Sequence, residues 1–176
     1  MYTQLTLDDF FMLLKVLPTT IALSAAAMLL GTCLAGLIAG LNLTKYRILK
    51  GVALIYNTLF RGTPLLMQIF FIFFGLPALG ISVSTLPAAL AALTLFTGAY
   101  MSEIIRGGIL AVPKNQTEAA DSLGLSLYQK IRYVVLPQAF KIIIPPAMGY
   151  TTSLVKNSAL VSTIGFLEVA RMGRII

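Results

Sequence analysis

Long stretches without a charged residue set the pattern of this chain. Residues 16–44 and 62–102 contain no Asp, Glu, Lys or Arg. An α-helix rises about 1.5 Å per residue, so about 20 apolar residues cross the ~30 Å hydrocarbon core of a membrane. The second stretch has about twice that length, and glycine and proline interrupt it between residues 75 and 87. It therefore predicts two membrane spans joined by a short turn.

A further apolar stretch at residues 134–155 is less regular, because it contains prolines and Lys141. A lysine at the centre of a membrane helix costs about 2.5–3.5 kcal/mol, so we expect Lys141 near an interface or facing the protein interior. The pattern predicts an all-α integral membrane protein, a single multi-span domain over residues 1–176. Its spans are expected at about residues 16–44, 62–76, 84–112 and 134–155.

The composition agrees with a membrane protein and removes most catalytic chemistry. Only 11% of the residues are charged, against about 25% in a soluble domain. The chain has no histidine and a single cysteine, Cys33, so it cannot build a His/Cys metal cluster, a histidine-assisted nucleophile or a disulfide framework. We expect no catalytic residue, no bound metal and no enzymatic activity.

The basic residues indicate an orientation. Two of the expected connections between spans hold most of them: Lys45, Arg47, Lys50 and Arg61 in the first, and Lys114, Lys130 and Arg132 in the third. The connection between the second and third spans has no charge. Positively charged connections remain in the cytoplasm, which predicts that the N-terminus lies outside and that the first and third connections lie in the cytoplasm. Most of the net charge of +7 is assigned to anchoring at the lipid interface, and the sequence has no basic stripe for nucleic acid.

Small residues mark one face of the first predicted span. They recur every four residues, at Ala27, Gly31, Ala35 and Ala39, and Gly36 and Gly40 lie beside them. Small side chains let another helix approach closely. The neighbour is either a helix of the same chain or a second subunit.

The connection between the third and fourth spans is longer than a tether requires, and it contains residues typical of helix starts and helix ends. Asn115 with Glu118 is expected to cap a first short helix, which Gly124 ends in the left-handed conformation. Ser126 with Gln129 forms a second capping box. The sequence predicts a helix, a sharp elbow and another helix that runs into the fourth span.

The same connection resembles a family motif. Glu118-Ala119-Ala120, three residues, Gly124, nine residues, Val134, one residue and Leu136-Pro137 is similar to the EAA motif of ABC importer permeases, in which Ile stands at the Val134 position. Other stretches resemble the polar amino acid branch of that family: Arg61-Gly62-Thr63-Pro64-Leu65-Leu66, Gly98-Ala99-Tyr100, Glu103-Ile104-Ile105-Arg106-Gly107-Gly108, Leu136-Pro137-Gln138-Ala139 and Lys156-Asn157-Ser158-Ala159-Leu160.

This resemblance implies the transmembrane subunit of a type I ABC importer that moves polar amino acids across the bacterial inner membrane by alternating access. It implies a second permease subunit, two cytoplasmic ATPases that hold ATP and Mg, and an external solute-binding protein. No cofactor is expected on this chain itself. A further span would follow Glu168, so the last span is expected to be missing here. The segment 113–132 would be the coupling helix and elbow, with these ATPase-coupling positions: Glu118, Ala119, Ala120, Asp121, Gly124, Leu136 and Pro137.

Polar residues within the predicted spans are candidates for the substrate pathway, because polar groups in a bilayer face a cavity or a protein neighbour. The candidates are Gln68, Thr94, Thr97, Tyr100, Lys156 and Asn157. Contacts between helices are the alternative role for each. Glu103 and Arg106, three residues apart, are expected to form an ion pair that is either structural or part of a gate.

A channel or an ion-coupled carrier that acts alone is the competing class. Lys141 and the adjacent Pro145 and Pro146 favour it weakly, because secondary carriers use ionisable residues and broken helices at mid-membrane. An intramembrane enzyme is disfavoured, since the chain shows neither paired intramembrane carboxylates nor a nucleophile motif.

Overall fold

The computed structural model describes residues 7–175 of the chain, and all regular structure in this range is helical. Two long helices, α1 and α5, are joined by shorter ones, and a third long helical run lies near the C-terminal end. The helices are α1 Leu7–Leu43, α2 Arg47–Gly62, α3 Leu65–Phe70, α4 Leu76–Ala78, α5 Thr85–Leu110, α6 Lys114–Ser122, α7 Leu127–Gln129, α8 Leu136–Asn157 and α9 Val169–Ile175. The π-helical segments Phe71–Gly75 and Lys130–Val135 join α3 to α4 and α7 to α8, and the 3-10 segment Ser158–Ile164 follows α8.

Helix α1 packs along α5 through the stripe of small residues. Ala27, Gly31, Ala35 and Ala39 are all buried. The approach is closest at Gly31, where an added Cβ would lie 2.5 Å from the side chain of Thr97. Gly36 and Gly40 have no such neighbour within 4 Å in the described residues. The structure therefore confirms that the stripe packs within the chain.

The sequence predicted a connection between spans after α1, but most of that segment forms the helix α2. This helix buries Ala53 and Asn57 and packs against both α1 and α5. The chain bends by 103° between α2 and the helical run from Leu65 to Ala78. Arg61 lies at this bend rather than in an extended connection.

Two described helices, α1 and α5, are long and apolar enough to cross a membrane, and the bent pair of α2 with α3 and α4 would give a third. The predicted spans at 16–44 and 84–112 correspond to α1 and α5. The predicted span at 62–76 covers only the second arm of the bent pair. The fourth corresponds to α8, which contains Pro145 and Pro146 without a break in the helix.

The main core lies where α5 meets the other long helices. Its fully buried members on α5 are small or branched, including Ala88, Ala89, Ala92 and Leu93. Ile69 from α3 packs into the same cluster. The apolar interior thus holds α5 in the centre of the molecule.

Glu168 caps the start of the last described helix, α9. It is only 1% exposed, and its carboxylate accepts hydrogen bonds of 2.8 Å from the backbone N–H groups of Ala170 and Arg171. Thr20 accepts a hydrogen bond from the N–H of Val169 at 3.1 Å. The carboxylate satisfies N–H groups that a helix start leaves without partners. The bond from Val169 to Thr20 connects α9 to α1.

Candidate functional site

The short helix α6 begins at Lys114, two residues earlier than an N-cap at Asn115 would allow. Pro113 occupies the N-cap position with extended backbone, and no side chain caps the helix. The predicted capping role of Asn115 is therefore wrong, since Asn115 lies inside α6. A proline before a helix needs no donor there and fixes the backbone dihedral that leads into it. Glu118 lies beyond the first turn, so it does not act at the helix start.

Gly124 ends α6 as the sequence predicts. Its φ of +69° is left-handed, a conformation that costs other residues about 1–2 kcal/mol. The N–H of Gly124 donates to Asp121 O at 2.9 Å, and the N–H of Leu125 donates to Ala120 O at 3.1 Å. These two bonds form a Schellman motif, which satisfies carbonyl groups at the helix end.

The second half of the elbow is also confirmed. Ser126 and Gln129 form a capping box: the Ser126 N–H donates to Gln129 Oε1 at 2.9 Å, and the Gln129 N–H donates to Ser126 Oγ at 3.4 Å. From Leu127 the chain stays helical into α8. The π-helical segment lies directly before Leu136 and Pro137, and it accommodates a proline that cannot donate within the helix.

Side chains hold the two arms of the elbow together. Lys130 Nζ and Asp121 Oδ1 form an ion pair of 2.6 Å. Gln138 Nε2 donates to Gln116 Oε1 at 3.1 Å. Ala120, only 2% exposed, is the one buried residue of α6. The elbow is therefore a preformed unit rather than a loose loop.

The other side of the elbow is open and partly apolar. Glu118 and Ala119 are exposed. Leu123 is 78% exposed, and Leu127 and Tyr128 are exposed beside it on the second arm. Exposed apolar residues with a polar surround typically mark a surface where another protein binds. The geometry brings five of the predicted coupling positions, residues 118–121 and 124, onto one small element.

Gln68, a candidate for the substrate pathway, is used inside the bend. It is only 8% exposed, and its Nε2 donates to Phe60 O at 2.9 Å, Thr63 O at 3.1 Å and Thr63 Oγ1 at 2.9 Å. These acceptors lie at the C-terminal end of α2, where carbonyl groups lack partners within the helix. The amide thus stabilises the break between α2 and α3. Its Oε1 is buried without a hydrogen-bond partner in the described residues.

Three other candidates lie together on α5. Thr97 is fully buried, and Tyr150 of α8 donates a hydrogen bond of 3.1 Å to its hydroxyl oxygen. The rings of Tyr100 and Tyr150 stack with centroids 5.6 Å apart. Thr94 Oγ1 is buried and has no hydrogen-bond partner among the described residues. Contacts between α5 and α8 therefore account for Thr97.

Lys156 and Asn157 lie apart from that group, at the C-terminal end of α8. Lys156 is exposed and Asn157 is half-buried. A lysine in the last turn of a helix interacts favourably with the helix dipole. The structure does not bring these two residues together with Thr97 and Tyr100.

A polar cluster between α2 and α5 is larger than the sequence indicated. The predicted pair is confirmed, with Arg106 Nη2 2.7 Å from Glu103 Oε2. Asn57 donates to Glu103 Oε1 at 2.8 Å, and Ser102 donates to Asn57 Oδ1 at 3.0 Å. The guanidinium of Arg61 lies 5.4 Å from the centre of the Tyr100 ring. Only the i, i+3 spacing of Glu103 and Arg106 signalled this cluster, since Asn57 comes from another helix.

Comparisons with known proteins agree on one family. Residues 31–172 match the family described as "Binding-protein-dependent transport system inner membrane component". The chain is 36% identical over 174 residues to the probable amino-acid ABC transporter permease protein YckA of Bacillus subtilis (strain 168), covering 99% of this chain and 77% of that protein. It is 41% identical over 152 residues to the L-cystine transport system permease protein TcyB of the same organism, covering 86% of this chain and 65% of that protein.

A solved structure gives the same result for the fold. The crystal structure of an amino acid ABC transporter with histidines contains a chain that is 36% identical to this one, with a TM-score of 0.88. The alignment covers 97% of this chain and 83% of that chain. The chain therefore has the all-α, multi-span fold of a type I ABC importer permease. It is a membrane-embedded member of the family of inner membrane components of binding-protein-dependent transport systems.

Proposed function

We propose that this chain is the transmembrane subunit of an ATP-driven importer of polar amino acids, and that α6 with the Gly124 elbow couples it to a partner ATPase. The elbow carries the proposal. The Asp121–Lys130 ion pair joins its two arms, and its surface exposes Leu123 and Tyr128. A short exposed helix gains stability by docking.

The roles of the coupling positions follow from this geometry. Ala119 is exposed and small, so a partner can approach the backbone of α6 closely. The exposed carboxylate of Glu118 is available to a basic residue of the partner. Ala120 packs inward, and Gly124 sets the angle between the arms. Leu136 and Pro137 connect the elbow to α8.

The remaining partners follow from the same proposal. ATP and Mg bind to the two ATPase subunits, and this chain has no enzymatic activity and binds no cofactor. A second permease subunit completes the pathway, and an external solute-binding protein delivers the amino acid. In this arrangement the N-terminus lies outside and the elbow lies in the cytoplasm, as the positive-inside rule predicts.

For the pathway, the main candidates are Lys156, Asn157 and Tyr100, because each of these side chains is exposed or half-buried. Lys156 and Asn157 would lie at the outer end of α8, and Tyr100 would lie near mid-membrane. Thr97 supports the Tyr100–Tyr150 contact by accepting a hydrogen bond from Tyr150, whereas Gln68 is bonded at the break between α2 and α3. Thr94 contributes a buried hydroxyl without a partner among the described residues.

Uptake by reconstituted vesicles tests the proposal. The permease is purified with its co-purifying ATPase, placed in vesicles with the cognate binding protein, and offered a mixture of labelled amino acids. Uptake that requires enclosed ATP supports the importer. Equal uptake without ATP, driven by an ion gradient, would instead establish a carrier that acts alone.

A further inference from the structure

Three basic residues lie at the start of α2, directly after the membrane helix α1. Lys45, Arg47 and Lys50 are all exposed. The ion pairs within the described residues 7–175 join other side chains, and the sequence from residue 10 to residue 102 contains no Asp or Glu. The part of the chain that the structure describes therefore supplies no anion to these three charges.

The same charges lie at a helix end that does not favour cations. Arg47 is the first residue of α2 and Lys50 the fourth, and Tyr46 at the N-cap position provides no side-chain hydrogen bond. A helix start carries partial positive charge and leaves N–H groups without partners. Cations there raise the free energy of the isolated chain, whereas an anion bound among them lowers it. The helix start and the basic side chains thus attract the same ligand.

An exposed apolar stripe runs along α2 from this basic end. Ile48, Val52, Ile55 and Leu59 recur at helical spacing on one side of the helix, and their exposed fractions are 82%, 52%, 70% and 53%. From Arg47 to Leu59 the helix rises about 18 Å. The hydrocarbon of one membrane leaflet is about 15 Å deep, half of the ~30 Å core. The stripe therefore matches the length of one lipid acyl chain.

A cavity of about 480 Å³ lies at the far end of this stripe, within the range of small-molecule sites. Leu59 belongs to both the stripe and the cavity, and Phe60, Met67 and Phe71 are among the other lining residues. These residues come from both arms of the bend that follows α2. An apolar chain that follows the stripe thus ends in a recess rather than on an open helix surface.

We propose that α2 binds an anionic phospholipid, with the phosphate among Lys45, Arg47 and Lys50 and one acyl chain along the stripe into the cavity. Guanidinium and ammonium groups form strong, charge-assisted hydrogen bonds to phosphate. A soluble anion would use the basic residues alone, so the stripe and the cavity favour a lipid. The inference goes beyond the proposed function, whose orientation it uses only to assign the lipid to the cytoplasmic leaflet.

Lipid binding by the purified complex of permease and ATPase tests this site. The complex in detergent is titrated with fluorescent phosphatidylglycerol, an anionic lipid, and with phosphatidylcholine that carries the same chains and label. We expect at least about tenfold tighter binding of phosphatidylglycerol, because several cations act on its headgroup. Arg47→Gln and Lys50→Gln should each lose about fivefold in affinity for phosphatidylglycerol, with binding of phosphatidylcholine unchanged.

Matched variants separate the charge and the stripe from the fold. Lys50→Arg keeps the charge and should bind like the wild type, as should Lys15→Gln, which removes an exposed lysine of α1 outside the cluster. Ile55→Ser should weaken binding of the long-chain lipid about fivefold but not that of a short-chain phosphatidylglycerol. Leu37→Ser, at a residue of α1 that is 69% exposed, is the control for the stripe. Elution from size exclusion with the ATPase shows that each variant is folded.

The site is overturned if the wild type does not prefer phosphatidylglycerol, or if Arg47→Gln and Lys50→Gln keep the full preference. Inorganic phosphate that displaces the lipid as well as short-chain phosphatidylglycerol does would assign the cluster to a soluble anion. Release of the ATPase by the two variants would assign it to an acidic protein surface, and either result contradicts a lipid site. The proposed function is tested separately by ATP-dependent uptake, because lipid binding is measured without transport.

Discussion

Gln68 holds the break between α2 and α3 with a single amide group. Its Nε2 donates to two backbone carbonyls and one hydroxyl at the end of α2. Gln68→Leu keeps the size of the side chain but removes the donor of these half-buried acceptors, which costs about 1 kcal/mol or more. We expect a lower midpoint of thermal unfolding in detergent. Met67→Leu, at the exposed neighbouring position, should leave the midpoint unchanged, and equal midpoints for both variants would contradict this role of Gln68.

Gly124 tests the elbow at a single backbone position. An added Cβ has nothing within 4 Å, so Gly124→Ala acts only through the left-handed φ and should cost about 1–2 kcal/mol locally. Gly107→Ala makes the same change inside α5, also in open space, and there alanine is favoured by about 1 kcal/mol. Gly124→Ala should reduce ATP-dependent uptake while membrane insertion persists. Uptake at the level of Gly107→Ala would count against the elbow.

At the residue scale, the sequence predicted those features that depend on near neighbours along the chain. Gly124 and the Ser126–Gln129 box depend on neighbours within three residues, so their roles were predictable. Asn115 competed with Pro113 for the helix start, and the fixed φ of proline decided the outcome. Gln68 and Asn57 reach across a bend or to another helix, and nothing in the local sequence marks such partners.

Among the described helices, α1 and α5 make the most extensive contact with each other. Gly31→Val would place side-chain atoms into Thr97, since even a Cβ comes within 2.5 Å. Overpacking of this kind costs about 1–3 kcal/mol. Gly36→Val on the same helix meets no atom of the described chain within 4 Å and is the matched control. Heating followed by size exclusion should show earlier loss of monodisperse protein for Gly31→Val only; identical profiles would show that the stripe tolerates larger residues.

Helix α2 shows that the positions of charged residues along the sequence can mislead the prediction of an element. Its basic residues, Arg47, Lys50 and Arg61, suggested an aqueous connection. The structure shows a helix that buries Ala53 and Asn57 against α1 and α5. The long apolar spans could be predicted because they need only a membrane, whereas α2 depends on neighbours that are distant in sequence.

At the scale of the whole molecule, the elbow connects the long helices α5 and α8. Helix α5 leads through Pro113 into α6, and the second arm leads without interruption into α8. Tyr100 of α5 and Tyr150 of α8 stack on each other. A push on the elbow therefore moves both helices together, which suits rigid-body alternating access.

The central claim is that another protein holds the exposed side of the elbow. The direct measurement is cross-linking in native membranes, with Cys33 first replaced by serine and a new cysteine placed by Ala119→Cys or Leu123→Cys. Leu79→Cys, exposed in the turn before α5, is the control. We expect both elbow positions, and not the control, to cross-link to an ATPase identified by mass spectrometry. Elbow cysteines that are accessible to a soluble thiol reagent yet never reach another polypeptide would contradict the account.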